Sequence, residues 1–235
     1  MNRMSVRQWV NIIAALATIG MNVLATTLPL NGQNTGAISD RFVVFFVPAR
    51  YVFSIWGLIY IGLIGYAIYQ ALPSQRRNPR LQRIGYWFAL SCAANIAWLF
   101  LWHYEQFAFT IVAMGILLLS LLVIYLHLGI SRTAVSRLEK WLVEVPFSVY
   151  LGWISVATIA NATNVLDYLH WNSWGIAPEL WAVILLNVAA VLATLISFDR
   201  GDLAYGLVIA WAFVGIAVKQ EGTQLVALAA WVSTG

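Results

Sequence analysis

Residues 146–164 read PFSVYLGWISVATIANATN, and this stretch decides the class of fold. It is apolar enough to lie within a bilayer, yet its polar and aromatic residues share one side of a helix. At about 100° per residue, that side is a face roughly 80° wide. The members of the face are Pro146, Tyr150, Trp153, Ala157, Asn161 and Asn164. Lipid would leave the two amides without hydrogen-bond partners, which is costly. The face is therefore predicted to point toward other helices or toward a ligand.

The composition of the whole chain agrees with a membrane environment. Of its 235 residues, 62% are hydrophobic and only 9% are charged, whereas soluble domains carry about 25% charged residues. Apolar runs cover nearly the whole length, so we predict an all-α integral membrane protein with several spans. The net charge of +4 lies in short loops between these runs. Because no interleaved polar surface accompanies it, nucleic-acid binding is not expected.

Apolar runs of about 20 residues, the length that crosses a bilayer, predict the membrane helices. Helices 1 to 7 are predicted at residues 10–30, 51–72, 84–103, 107–128, 141–166, 180–198 and 203–218, with a partial eighth helix at 225–232. A long loop, residues 31–50, joins the first two helices. Its apolar segment 42–48 is too short to span, so we expect it at the membrane interface or folded over the bundle. The first helix is interpreted as retained and not as a cleaved signal peptide.

The distribution of basic residues predicts the orientation. Ten of the 13 basic residues fall on the same side of the predicted membrane as the N-terminus. Only Arg41, Arg50 and Lys219 fall on the other side. Since basic loops are retained in the cytoplasm, we predict a cytoplasmic N-terminus and an external 31–50 loop, in the cell (inner) membrane.

Helices 2 and 3 carry faces similar to that of helix 5. Helix 2 has Phe53, Trp56 and Tyr60 on one side, and helix 3 has Ser91, Asn95, Trp98 and Trp102. Packing alone explains any one such face, because aromatic rings fill space and an asparagine bonds across helices for about 0.6–2 kcal/mol. The three faces together favour an aromatic pocket with a few orienting polar groups. The predicted ligand-binding residues are Phe53, Trp56, Tyr60, Asn95, Trp98, Trp102, Tyr150, Trp153, Ala157 and Asn161.

Charged and metal-binding residues are scarce in the predicted spans. Apart from Glu144 and Glu179, both near helix starts, no acidic or basic residue lies within a span. This argues against an ion pump, a proton-coupled transporter and an acid–base enzyme. His103 could ligate a haem iron, although a solvated histidine at the interface is the favoured interpretation. We expect no catalytic residues, no metal site and no required cofactor.

Three blocks of the sequence match the pattern of a known family. They are PARYVFSIWGLIY at 48–60, NIAW at 95–98 and WISVATIAN at 153–161. These blocks resemble the tryptophan-rich sensory protein family, also called the translocator protein or peripheral-type benzodiazepine receptor family (TspO/MBR). The third block is the most specific, since it is similar to the family's Trp-x-Ser-x-Ala-Thr-x-x-Asn in five positions. The sequence departs from the family in the spacing of Phe53 and Trp56, which is one residue shorter than usual.

The resemblance covers about residues 10–165 and implies a five-helix bundle with a ligand cavity under the first loop. Residues 1–168 would form this TspO-like bundle, and residues 169–235 would add two or three C-terminal transmembrane helices that short family members lack. Family members bind tetrapyrroles such as protoporphyrin and haem, and they act as sensors or regulators. By position, the resemblance implies a pocket lined by Phe53, Trp56, Asn95, Trp98, Trp153, Ala157 and Asn161.

Together these observations predict a sensor or receptor that binds a flat apolar ligand, with porphyrin or haem as the first choice. Trp56, Trp98 and Trp153 would stack on its rings. Asn95 and Asn161 would hydrogen-bond its polar edges.

Two other functions stay open at this stage. One is a permease for a small apolar solute, and the other is a structural or assembly partner of another membrane complex. The small residues Ala89, Ala93 and Ala97, spaced four apart, allow either close packing inside the bundle or a homodimer.

Overall fold

The computed structural model describes residues 4–28 and 30–234 and is 80% helical. Its principal helices are α1 (Val6–Thr27), α2 (Ile55–Ala71), α3 (Trp87–His103), α4 (Phe107–Leu128), α5 (Val145–Tyr168), α6 (Pro178–Arg200), α7 (Leu203–Lys219) and α8 (Gln224–Val232). No β-strand occurs in the described residues. Five stretches are long and apolar enough to cross a membrane, and α3 and α7 are shorter apolar helices. The chain is therefore an all-α integral membrane protein, as predicted.

Several short helical segments connect the principal helices. They are Leu30–Gly32, Thr35–Ser39, Arg50–Ser54, Pro73–Gln75, Pro79–Ile84, Arg137–Glu139, Lys140–Glu144 and Ser173–Gly175. The segment Lys140–Glu144 is a π turn that leads into α5, and Arg50–Ser54 is a 3-10 turn that leads into α2. Both turns explain why α5 and α2 begin about four residues later than the predicted helices 5 and 2.

The start of α1 also differs from the prediction, because a capping box fixes it. The Ser5 hydroxyl accepts a hydrogen bond from the backbone N–H of Gln8, and the Gln8 side chain accepts one from the backbone N–H of Ser5. This reciprocal pair satisfies two N–H groups that the first turn would leave unpaired. The helix thus begins at Val6, four residues before the predicted start.

The first five principal helices form a closed ring. Each contacts two neighbours, in the order α1–α2–α5–α4–α3 and back to α1. On the outside of this ring, α7 packs along α5, and α6 and α8 pack against α7. Close approach of α5 and α7 depends on Gly152, since a Cβ there would lie 3.1 Å from the Cβ of Val208. The small residues Ala93 and Ala97 lie exposed on α3, so the ring does not use them for packing.

One buried carboxylate ties α7 to the ring. Asp202, only 4% exposed, accepts hydrogen bonds from the Tyr125 hydroxyl of α4 at 2.8 Å and from the Ser148 hydroxyl of α5 at 2.7 Å. Its second oxygen accepts from the backbone N–H of Tyr205 and so caps α7. The sequence placed Asp202 in a loop between predicted helices, and the structure shows that this position is buried.

A second polar cluster lies where α4 ends and α5 begins. The Arg80 guanidinium donates to Glu139 at 2.7 Å, to Glu144 at 2.6 Å and to the backbone carbonyl of Leu128. Both carboxylates are buried. The carbonyl of Leu128 belongs to the last turn of α4, where no intrahelical donor is available. Arg80 therefore joins the short helix Pro79–Ile84 to the ends of two ring helices.

The loop between α1 and α2 folds over one end of the ring. On the α3 side, the Trp102 indole N–H donates to the carbonyl of Thr35 at 3.2 Å, and Arg41 pairs with Glu105 at 3.0 Å. Hydrogen bonds from Gln33 and Arg41 hold the pKa of Glu105 below its usual range. Segment 42–48 folds over the bundle, one of the two placements expected for it, and buries Phe46 and Val47.

The other half of this loop is held by α7. The backbone N–H of Ala49 donates to the carbonyl of Gly215 at 3.0 Å, and the Gln220 side chain donates to the carbonyl of Phe45 at 3.2 Å. The Trp211 indole N–H donates to the carbonyl of Val52, also at 3.2 Å. The loop thus spans the ring from α3 to α7, and helices at both sides hold it.

Candidate ligand cavity

A cavity of about 570 Å³ lies inside the ring, beneath the loop between α1 and α2. Its volume falls in the range of about 300–1,000 Å³ that is typical of small-molecule sites. All the predicted site residues except Tyr150 line it, namely Phe53, Trp56, Tyr60, Asn95, Trp98, Trp102, Trp153, Ala157 and Asn161. The faces of helices 2, 3 and 5 that the sequence singled out therefore surround one space.

Two pairs of stacked aromatic side chains lie on α2 and α3, which are not adjacent in the five-helix ring. On α2, Trp56 and Tyr60 stack with centroids 5.6 Å apart and planes at 25°. On α3, Trp98 and Trp102 stack at 5.2 Å and 17°. Such offset pairs are held by the ring quadrupoles as well as by burial. The cavity thus has an aromatic wall on α2 and another on α3.

The Trp153 side chain on α5 lies roughly perpendicular to the neighbouring aromatic side chains at the start of α2. The Trp153 ring lies edge-on to Phe53, with centroids 5.5 Å apart, and edge-on to Trp56 at 6.3 Å. The spacing between Phe53 and Trp56 is one residue shorter than is usual in the TspO/MBR family. Both side chains nevertheless contact Trp153. Tyr150 stands behind this cluster, 1% exposed and 6.1 Å from Trp56, so it supports the wall and does not line the cavity.

The two predicted polar residues are bonded to neighbouring helices. The Asn95 carbonyl oxygen accepts from the Asn22 amide of α1 at 2.7 Å, and the Asn95 amide donates to the Tyr150 hydroxyl at 3.3 Å. The Asn161 oxygen accepts from the Trp98 indole N–H at 2.7 Å. Its amide donates to the Thr110 hydroxyl of α4 at 3.0 Å. These bonds join four ring helices, so both side chains hold the ring together at the level of the cavity.

The chain was then compared with known proteins. A family model described as TSPO-like protein matches residues 8–235. The chain belongs to the TSPO-like family. No curated protein and no solved structure gives a significant match. The TSPO-like match extends through α6, α7 and α8, beyond the region 10–165 that carried the resemblance. Family membership and the apolar helices together indicate an integral membrane protein of the sensor or receptor type.

In this TSPO-like protein, His103 is not the solvated residue that the sequence suggested. It is completely buried, with Nδ1 2.8 Å from the carbonyl of Leu99 and Nε2 3.3 Å from the Thr35 hydroxyl. Both ring nitrogens are therefore engaged, and His103 is not among the residues that line the cavity. The structure does not bring this weak candidate for a haem ligand to the site. Among the described residues, no group of three or more His, Cys, Asp or Glu is placed to hold a metal ion.

Two buried polar atoms of the TSPO-like cavity lack a partner among the described residues. They are Nε1 of Trp153 and Oδ1 of Asn164, in side chains 2% and 4% exposed. A buried polar atom without a partner costs about 1–3 kcal/mol. Both residues line the cavity through other atoms, since these two atoms are enclosed by the protein.

Sequence reasoning missed several residues that line the TSPO-like cavity. Asn22 and Thr26 come from α1, Met114 and Leu117 from α4, Asp40 and Arg50 from the loop, and Lys219 from α7. Asn164 was on the polar face of helix 5 but was not chosen as a site residue. A signal for Asn22 did exist, since an amide in an otherwise apolar run requires a partner. Nothing in the local sequence connects Lys219 to helices 2, 3 and 5.

Proposed function

We propose that this protein binds a flat, largely apolar ligand in the cavity between α2, α3 and α5. A tetrapyrrole such as protoporphyrin or haem is the first choice. The observation that carries the proposal is the pair of aromatic walls, Trp56–Tyr60 on α2 and Trp98–Trp102 on α3, which line one cavity. Rigid rings give a planar molecule a large contact area at little cost in conformational entropy.

The lining supports binding as the use of this cavity and not catalysis. Aromatic, aliphatic and amide side chains make up most of it, and the amides Asn95 and Asn161 are bonded to other helices. We therefore propose a sensor or receptor that needs no resident cofactor, with any porphyrin or haem acting as its ligand. With the proposed cytoplasmic N-terminus, the loop over the cavity faces the outside of the cell membrane.

Titration of the purified protein with protoporphyrin IX tests this proposal. We expect saturable binding, seen as quenching of tryptophan fluorescence and as a shift of the porphyrin absorption band. Trp56→Ala removes one aromatic wall and should weaken binding about tenfold, since a ring pair is worth about 0.5–1.5 kcal/mol beyond its buried area. Trp141→Ala is the matched control, because Trp141 is 63% exposed on the π turn and does not line the cavity.

Two outcomes would contradict the proposal. One is the absence of tetrapyrrole binding by a protein whose helical circular dichroism is intact. The other is equal affinity of the wild type and Trp56→Ala, which would place binding elsewhere. Ligand flux through proteoliposomes would favour the permease alternative.

A further inference from the structure

Three charged residues line the cavity at its loop end, and two of them neutralise each other. Arg50 donates from Nε to the Asp40 carboxylate at 2.9 Å and also pairs with it through Nη2. Lys219, the last residue of α7, also lines the cavity, although the residue as a whole is exposed. Within residues 4–28 and 30–234, Lys219 forms no ion pair. One positive charge is therefore left over at this end of the cavity.

The packing of α7 along α5 brings this charge to the same end of the cavity as an unpartnered amide. The two helices are parallel, since Ser148 contacts Asp202 and, further along, Gly152 contacts Val208. Lys219 lies 11 residues beyond Val208, which is a distance of about 16 Å along the axis of α7. Asn164 lies 12 residues beyond Gly152, or about 18 Å along α5. Both residues therefore reach the loop end, and both line the cavity.

The side chain of Asn164 makes no hydrogen bond to any group in the described part of the chain, although it is 4% exposed. Its Oδ1 is completely enclosed without a partner. Its Nδ2, in contrast, is not among the enclosed atoms, and it donates no hydrogen bond to the described residues. Because Asn164 lines the cavity, this N–H₂ group is available as a donor to a ligand there.

We infer that Lys219 and Asn164 form a subsite for a carboxylate carried by the apolar ligand. The ammonium group donates charge-assisted hydrogen bonds to the anion, and the Asn164 amide donates another. One unpaired ammonium balances one negative charge, so a carboxylate fits this subsite better than a doubly charged phosphate. The ligand is then an amphipathic acid whose flat apolar body lies between the aromatic walls and whose acid group lies under the loop. This inference rests on the proposed function, and it gives α7 a direct part in ligand recognition.

Protoporphyrin IX and its dimethyl ester test the inference, because they share the macrocycle and differ in charge. We expect the wild type to bind the acid about tenfold more tightly than the ester at low ionic strength, and the preference to decrease as salt screens the charges. Lys219→Met should abolish the preference while ester binding is kept. Asn164→Leu should reduce the preference.

Lys140→Met is the matched control, since Lys140 is the other lysine of the chain and is exposed at the opposite end of α5. It should keep the preference of the wild type. Equal binding of acid and ester by the wild type, or an unchanged preference in Lys219→Met, would overturn the subsite while the proposed function stands. If neither compound binds the folded wild type, the proposed function fails and the subsite fails with it.

Discussion

Asn161 and Asn164 stand one helical turn apart on α5 and line the same cavity, yet their surroundings differ. Asn161 joins α3 to α4, through Trp98 on one side and Thr110 on the other. Asn164 has no hydrogen-bond partner for its side chain in the described residues. In a membrane protein an amide that bonds across helices stabilises the fold, whereas an unpartnered one contributes nothing of this kind.

A pair of alanine variants separates these two roles. Asn161→Ala should lower the free energy of unfolding by about 1–2 kcal/mol, because the Trp98 indole N–H and the Thr110 hydroxyl both lose a partner. Asn164→Ala should not lower the free energy of unfolding in this way, since no protein hydrogen bond is lost and an enclosed oxygen without a partner is removed. Thermal unfolding of both variants in detergent checks this. Equal destabilisation by the two substitutions would contradict the assignment.

The sequence could identify the face that carries these residues, but not their partners. Helical periodicity placed Trp153, Ala157 and Asn161 on one side of helix 5, and the cavity is on that side. Thr110 and Asn22 lie more than 50 residues away in the chain, so local spacing cannot assign them to Asn161 and Asn95. The solvated position suggested for His103 was wrong for the same reason, because the loop residue Thr35 covers it.

At the scale of elements, Arg80 fixes how α4 passes into α5. Its guanidinium is shared between Glu139, Glu144 and the last turn of α4. All of these groups are largely removed from solvent. Each charge therefore depends on its partners for stabilisation more than a charge in an exposed ion pair does.

Arg80→Met should destabilise the protein by about 3–5 kcal/mol, because two buried carboxylates would lose their cation. The matched control is Arg77→Met, three residues earlier and exposed, which should stay within about 0.5 kcal/mol of the wild type. Chemical denaturation followed by circular dichroism measures both. A stable Arg80→Met protein would show that the cluster does not hold the two helices.

The ends of the helices were predictable where the local sequence marks them. The bounds of α4 agree with the prediction for residues 107–128, and Gly129 ends the helix in the left-handed conformation at φ 56°. The start of α5 was not predictable, because the π turn Lys140–Glu144 lies beside the Arg80 cluster. That cluster depends on residues about 60 positions apart, which no local pattern reveals.

At the scale of the whole molecule, the C-terminal helices are attached to the loop over the cavity. The closest approach is at Gly215, where an added Cβ would overlap the side chain of Val52 and lie 3.1 Å from that of Pro48. Hydropathy alone could predict the apolar helices, five of which are long enough to cross a membrane. Hydropathy could not predict that α7 contacts the loop between α1 and α2, since the contacting residues are more than 150 positions apart.

Gly215→Ala should therefore separate α7 from the loop and cost about 1–3 kcal/mol of stability. The exchange of the Ala49 amide proton, which Gly215 now protects, should become faster. Gly222→Ala serves as the control, because nothing lies within 4 Å of its added Cβ. Hydrogen-exchange mass spectrometry and thermal unfolding test the pair. Unchanged exchange at Ala49 in Gly215→Ala would argue against the contact.

The attachment of the loop to α7 also bears on the order in which the protein is made. Residues 45–52 leave the ribosome well before Trp211, Gly215 and Gln220, whose groups hydrogen-bond to their backbone. Until α7 has been inserted beside α5, the loop lacks the hydrogen bonds that hold its second half. A nascent chain that has folded only α1 to α5 thus contains the residues of both aromatic walls. It still lacks the contacts that hold the second half of the loop over the cavity. The cavity therefore reaches its final form only after α7 has packed beside α5.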